Sequence, residues 1–523
     1  MAENNQITLD DVMIPKMLHL TPLDQIAPRI YVRTIFVFTL TDGYDAGTAT
    51  DYLRECFHRA LSRWPFLSGQ IRPAAEGRNR LELLYTGDTW SMNPSNRPEI
   101  FRYEKICHLN GHNFKELVGL GMPPSTMNKD VLSNSPNHPK PGESCPPVTM
   151  KVTEMNGKGL FVCFSTHHGI FDGGFIKTFL EYFAQGANVA SKNNFIDHTI
   201  CNYSGPDNDK SNYLMESKSM SFFEDTKVKG KRWLTEVKER PKMDCYKELD
   251  IKDVDFPEYD FTKNAPVPNG IKTPKAVCKI FKFDNSVIEA LRVKALAYVR
   301  KKYGDGAFVS MVDTLSALVW VYVTRSRISH LSPSDDSSFS TAVDARPRLS
   351  PAFPLSSWGN IYTQNVARAK VQSLTMLDEA GKLPNDATSS IFEAAWLIRQ
   401  AVDKVNKPDY IPSRIALAAS LKDPAMEGAA FRKANRPDHA GLGCSVWVHM
   451  GADVDFGIPG TGGKADYVRK TWSANDGTMN IMQRRGVTRG DAPWEVLLAL
   501  REDDMDRVCC MNALGHWAMS WCA

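Results

Sequence analysis

No uninterrupted apolar run in this 523-residue chain approaches the ~18 residues of a membrane-spanning helix. The opening "MAENNQITLDDVMIPK" lacks the apolar core of a signal peptide. Charge of one sign is also scarce: the formal net charge is +3, with no basic stripe and interleaved aromatics of the kind nucleic acids select. Lysines and arginines do gather in "KVKGKRWLTEVKERPK" (227–242), but acids interrupt them, and the run reads as a solvated helix face. Neither a nucleic-acid nor a membrane partner is expected. The eleven cysteines are scattered, with no CxxC and no metal-ligand spacing to histidine. Such a pattern suits free thiols in a reducing compartment, so a cytosolic location is expected. His108 and His112 have helical spacing but no third ligand, and no metal site is assigned. No repeat of fixed period occurs, which argues against a solenoid or propeller. No GxSxG elbow occurs either; "GLGCSVWVH" around Ser445 lacks the second glycine.

What remains is an ordinary globular composition, 42% hydrophobic and 24% charged, in a chain too long for one compact core. Strand patterns fall on residues 30–40, on "RLELLYT", "PPVTMKVTEM" and "GLFVCFST", and later on "SFSTAVDARPRL", "CSVWVHMGADVDFG" and "WEVLLALRED". Between them, Leu53, Phe57, Ala60, Leu61 and Trp64 recur at helical spacing, as do Phe175, Ile176, Phe179, Leu180 and Phe183. "DNSVIEALRVKALAYVRKKYG" and "SMVDTLSALVWVYVTRSR" read as amphipathic helices, "IFEAAWLIRQAVDKV" as another, and the tail as a final helix. Interleaved helices and strands indicate a mixed α/β protein with two lobes. The division expected is 1–205, a polar crossover at 206–260, and 261–523.

Chemistry concentrates in "FSTHHGIFDGG", Phe164 to Gly174, where an apolar strand runs into two histidines, an aspartate and a helix. A neutral imidazole there can accept a proton from a substrate hydroxyl, which is worth about 10²–10⁴-fold in rate. The aspartate could orient a ring, or pair with a distant arginine and fix the loop. His167 alone reads as a packed, hydrogen-bonded residue. Without a serine or cysteine nucleophile, direct attack by a deprotonated acceptor fits better than a covalent intermediate.

"HHGIFDG" resembles the HxxxD motif of the BAHD acyl-CoA-dependent acyltransferases; condensation domains of peptide synthetases and chloramphenicol or carnitine acyltransferases carry relatives of it. "DFGIPGTGGKADYVRK" (Asp455 to Lys470) resembles the family's DFGWG region. "LSALVWVYVTRSR" and "AVDARPRLSPAFPLSSWGN" look like its C-lobe helix and arginine-bearing strand, and "TPLDQIAPRIYVRTIFVFTL" is similar to its fungal branch, which includes trichothecene 3-O-acetyltransferases. The resemblance implies two similar lobes of mixed sheet flanked by helices, chloramphenicol-acetyltransferase-like, with a tunnel between them. It makes His168 the general base. Asp172 would turn away from the site to hold Arg346, and Gly173 would permit the close turn into the helix. Asp455, Phe456 and Gly457 would support the lobe interface and CoA binding away from the acceptor. Here the chain departs from the pattern, because Ile458 replaces the usual Trp and Pro459 precedes Gly460. No oxyanion donor or CoA contact is assigned. The function implied is transfer of an acyl group, acetyl by analogy, from acyl-CoA to an alcohol or amine of a fungal secondary metabolite, by a monomer without a bound cofactor. Two rival readings stand beside it: a condensation-type enzyme fed by a carrier-protein thioester, and a non-catalytic binding protein on the same fold.

Overall fold

A computed structural model describes residues 15–185, 275–349, 352–378, 382–408, 410–428, 440–472, 475–483, 492–510 and 512–523. The expected crossover at 206–260 and the basic run at 227–242 lie outside the described residues.

The first core forms on a five-stranded mixed sheet in the order Tyr467–Lys470, Tyr31–Thr39, Gly159–His167, Val148–Met155, Phe101–Ile106. Every residue of the two strands Val148–Met155 and Gly159–His167 is buried, as expected of central strands covered on both faces. One face carries the helices Ala46–Arg63 and Gly173–Gln185, whose Leu53, Phe57, Phe175 and Phe179 are at most 0% exposed. Asp45 starts the first helix, its side chain accepting from the Thr48 amide at 2.8 Å. A small sheet of Lys16–His19, Leu81–Tyr85 and Gln70–Pro73 flanks this lobe.

The second core forms on a seven-stranded mixed sheet in the order Tyr362–Lys370, Asp336–Asp344, Gly441–Val446, Thr478–Ile481, Trp494–Arg501, Ala276–Phe283, Ser520–Cys522. Helices Asn285–Tyr303, Met311–Ser326 and Thr388–Lys404 pack on it. Met311–Ser326 differs from the amphipathic helix its sequence suggests: every residue from Asp313 to Ser326 is buried. The helix is wedged between the sheet and its neighbours, so its polar residues find internal partners. Ser337 Oγ accepts from Trp320 Nε1 at 2.8 Å, and the Thr324 hydroxyl bonds the Trp320 carbonyl at 2.8 Å.

Three further differences from the sequence reading concern the C-terminal half. The strand read through "CSVWVHMGADVDFG" ends at Val446, and the rest is loop. The tail carries the expected helix, Glu502–Cys509, directly after strand Trp494–Arg501, but then adds the short strand Ser520–Cys522, which the sequence did not suggest. The segment from Trp447 to Lys470 packs on the first core, with Tyr467–Lys470 pairing antiparallel to Tyr31–Thr39. Sequence order cannot reveal such an exchange, because it depends on which unpaired sheet edge is near. Arg469 fastens it: buried between the lobes, its guanidinium donates to the Met122 and Gly121 carbonyls and to Glu495 Oε2, each at 2.8–2.9 Å. Among the described residues no helix is long and apolar enough to cross a membrane.

Candidate active site

Strand Gly159–His167 hands the chain to a tight turn. The His168 amide still donates to the Ile30 carbonyl at 2.9 Å, and the amides of Ile170 and Phe171 both return to the His167 carbonyl at 3.0 Å. The turn separates the two imidazoles. His167 is buried, its ring edge-on to Tyr31, with Nδ1 accepting from the Gly169 amide at 3.0 Å. Burial, then the positive charge of Arg29, pushes its pKa down to about 3, so it is a neutral packing residue. His168 keeps a solvent-accessible fraction although protein surrounds it. Burial holds its pKa below the ordinary histidine value; its own backbone carbonyl, Asp172 and Asn360 offset only part of that fall. The ring is therefore neutral at pH 7 and able to take a proton.

Asp172 does not serve either ring. Its carboxylate takes a two-pronged hydrogen bond from Arg346, Nη1 to Oδ2 at 2.8 Å and Nη2 to Oδ1 at 2.9 Å. The remaining lone pairs accept from the Phe175 amide at 2.8 Å, which caps helix Gly173–Gln185, and from the Ile361 amide at 2.9 Å. Arg346 is wholly buried and also donates to the carbonyls of Ser357 and Gly359. Burial alone would lower its pKa, but the carboxylates of Asp172 and Asp344 overturn that and raise it. The pair thus joins the His168 turn to the loop carrying Gly359 and Asn360.

The glycine that this junction requires is Gly174, not Gly173. A Cβ on Gly174 would stand 2.5 Å from Arg346 Nη1, whereas on Gly173 the nearest atom is Met450 Sδ at 3.5 Å. The arginine lies across the first turn of the helix, and only the second glycine is under it.

Three residues not singled out from the sequence complete the surroundings of His168. Asn360 Nδ2 donates to the His168 carbonyl at 2.7 Å and to Asp24 Oδ1 at 2.9 Å. Asp24, fully buried, also accepts from the Asn360 amide at 2.7 Å and closes a capping box with Thr21. Burial raises its pKa against these hydrogen bonds. Tyr362 brings its ring within 5.7 Å of the His168 ring, and its hydroxyl has no hydrogen-bond partner among the described residues. It too keeps an accessible fraction while surrounded by protein, and burial followed by the charges of Glu427 and Asp172 raises its pKa, so the phenol stays protonated. The Thr-x-x-Asp spacing and the Gly-Asn pair were the available signals; neither says what the side chains reach.

The DFG segment lies elsewhere. Phe456 is 0% exposed and packs against Phe36, Phe38 and Phe183 at ring distances of 4.9, 5.7 and 6.2 Å. The Tyr52 hydroxyl donates to its carbonyl at 2.7 Å. Asp455 is exposed and accepts from the Gly457 amide at 2.9 Å, shaping a turn. Ile458 is 2% exposed within the same core. These residues seat the exchanged segment on the first lobe, and among the described residues none of them is hydrogen-bonded to the His168 turn.

A sequence profile described as Transferase family matches residues 2–88 and 113–509. The chain is 24% identical to the O-acetyltransferase anaAT of Neosartorya fischeri, covering 93% of each chain. It is also 24% identical to the communesin N16 acyltransferase cnsK of Penicillium expansum, covering 96% of this chain and 97% of that one. The solved structure of F. graminearum TRI101 complexed with coenzyme A and deoxynivalenol shares the fold, with a TM-score of 0.67 at 16% identity, covering 94% of this chain and 97% of that one. The profile spans nearly the whole chain, both lobes and the His168 turn included, and the protein belongs to the Transferase family of BAHD-type acyltransferases.

Proposed function

We propose that the protein transfers an acyl group, acetyl first among them, from acyl-CoA directly to a hydroxyl of a small secondary metabolite, as a cytosolic monomer. The observation that carries this reading is a neutral, accessible imidazole at His168, enclosed by protein and backed by no carboxylate of its own. His168 accepts the proton as the acceptor oxygen attacks the thioester carbonyl. The tetrahedral intermediate collapses by breaking the carbon–sulfur bond, and the imidazolium returns its proton to the departing thiolate. Asp172, Gly174 and Arg346 hold the turn, and Asn360 holds the backbone of the base itself. Asp455, Phe456 and Gly457 support the exchanged segment. The relatives support the donor class: TRI101 was solved with coenzyme A, and anaAT is named an O-acetyltransferase. The naming of cnsK for a nitrogen position keeps amines within the acceptor screen.

Thiol release from acetyl-CoA, followed across a panel of terpenoid, alkaloid and polyketide alcohols, tests the reading. His168→Ala should lower kcat by about 10²–10⁴-fold with little change in melting temperature. Unchanged turnover in that variant would remove the mechanism, and turnover only from an acyl carrier protein would replace the donor.

A further inference from the structure

Negative charge that builds on an acyl oxygen beside His168 needs a hydrogen-bond donor, and the backbone donors of that turn are already committed. The His168 amide bonds the Ile30 carbonyl, the Gly169 amide bonds His167 Nδ1, and the amides of Ile170 and Phe171 bond the His167 carbonyl. Across the junction, the Ile361 amide is taken by Asp172. The amide of Asn360 is taken by Asp24, and its side-chain nitrogen by Asp24 and the His168 carbonyl.

The Tyr362 hydroxyl is uncommitted. It has no partner among the described residues, and its oxygen is not sealed in, so it touches open space although protein surrounds the residue. The same distinction separates the two nitrogens of His168. Nδ1 is sealed in, whereas Nε2 is neither hydrogen-bonded among the described residues nor sealed. The frame that holds the base also fixes the phenol. Asn360 is tied to the His168 carbonyl, the Ile361 carbonyl accepts from the Ala345 amide at 2.9 Å, and Tyr362 stands opposite Asp344 at the start of its strand. Ile361 turns into an apolar cluster with Val343, Ala345 and Ile411. Alternation therefore returns Tyr362 to the side of Asn360 and His168, where the two rings lie 5.7 Å apart and tilted by 41°. Burial, then the charges of Glu427 and Asp172, raises the pKa of the phenol and keeps its proton in place.

We propose that Tyr362 is the oxyanion donor: its hydroxyl hydrogen-bonds the acyl oxygen of acyl-CoA and holds the negative charge that forms there as the acceptor attacks. The inference rests on the acyl-transfer reading and deepens it. While His168 Nε2 takes the acceptor's proton, the new carbon–oxygen bond forms and the carbonyl π pair moves onto the acyl oxygen. The phenol donates to that oxygen without giving up its proton. The pair then returns, the carbon–sulfur bond breaks, and the imidazolium protonates the thiolate. A donor aimed at the attacking oxygen would instead draw on the lone pair that must form the bond. The phenol therefore contributes to rate on the acyl oxygen, where its bond is stronger in the transition state than in the ground state.

Calorimetry on the full chain tests this with S-ethyl-CoA, which lacks an acyl oxygen, and trifluoroacetonyl-CoA, whose ketone hydrates to a tetrahedral carbon bearing one. Tyr362→Phe should weaken trifluoroacetonyl-CoA by about 10–10²-fold and leave S-ethyl-CoA within about twofold. A 3-fluorotyrosine at position 362, a stronger donor of nearly the same shape, should restore the preference. With an alcohol from the acceptor panel, Tyr362→Phe should lower kcat by about 10²–10³-fold at unchanged KM. It should melt no lower than the wild type, because no protein group loses a partner. Equal weakening of both ligands would make the ring a wall of the CoA site, and no weakening of either would leave the hydroxyl without a role; each overturns the proposal. So would a raised KM for the alcohol at unchanged kcat, which would place the hydroxyl on the acceptor. A marked fall in the melting temperature of Tyr362→Phe would make the hydroxyl structural and equally end it. Failure of the wild type to bind either CoA ligand would instead sink the acyl-transfer reading, and this proposal with it.

Discussion

Replacing Asp172 by Asn separates an architectural carboxylate from a catalytic one. The side chains of Asp172 and Arg346 are 3% and 0% exposed, so water screens little of their attraction and offers little compensation when one charge is lost. In Asp172→Asn the guanidinium keeps the carbonyls of Ser357 and Gly359 and one oxygen of Asp344, whose own side chain is 39% exposed. Removing one partner of a buried pair costs about 3–5 kcal/mol. Asn can still accept through one oxygen, so the loss should fall toward the lower end, about 3 kcal/mol. Pairing the change with Arg346→Met should recover part of it, and a double-mutant cycle should give a coupling energy of at least ~2 kcal/mol. Urea unfolding followed by tryptophan fluorescence measures all four proteins, with thiol release from acetyl-CoA alongside. Any Asp172→Asn protein that remains folded should retain substantial turnover and an unmoved pH optimum. An Asp172→Asn enzyme as stable as the wild type, yet inactive or with a displaced acid limb, would show that Asp172 acts on the imidazole and refute the argument.

Further consequences follow from the same site. Because burial lowers the His168 pKa, the acid limb of kcat/KM should fall below pH 6.5: the base stays neutral and active as pH drops through 6.5, and activity is lost only on passing its lower folded-state value. A limb at or above 6.5 in the pH–rate profile would contradict the enclosed setting. Gly174→Ala should destabilise by about 1–3 kcal/mol, because its Cβ meets the buried guanidinium, while Gly173→Ala should stay within about 0.5 kcal/mol; thermal melts of the pair decide it. Ile458→Trp restores the indole usual in the family, yet Ile458 already fills a closed core; we expect a loss of about 1–3 kcal/mol and no gain in kcat, and faster thiol release would overturn that.

The sequence by itself determined much of the local structure. Period-two and period-3.6 patterns located strand Tyr31–Thr39 and the helices Ala46–Arg63 and Gly173–Gln185 to within a few residues, because each must hide one face from water. The spacing of "HHGIFDG" placed an imidazole at a strand end for the same local reason. Strands Phe101–Ile106 and Tyr362–Lys370 were not recognised; both lie at sheet edges, where most residues are less than fully buried and the apolar alternation is weak. Only the tertiary structure decided what lies beyond the reach of local periodicity. It selected which histidine is locked by Gly169 and which is left accessible, and it put Arg346 across Gly174. It brought Asp24 and Asn360, 336 residues apart, into one hydrogen-bonded unit behind His168. It also carried Tyr467–Lys470 across to the other lobe. Such contacts depend on long-range packing, and a pattern read over a few residues holds no record of which distant group will arrive.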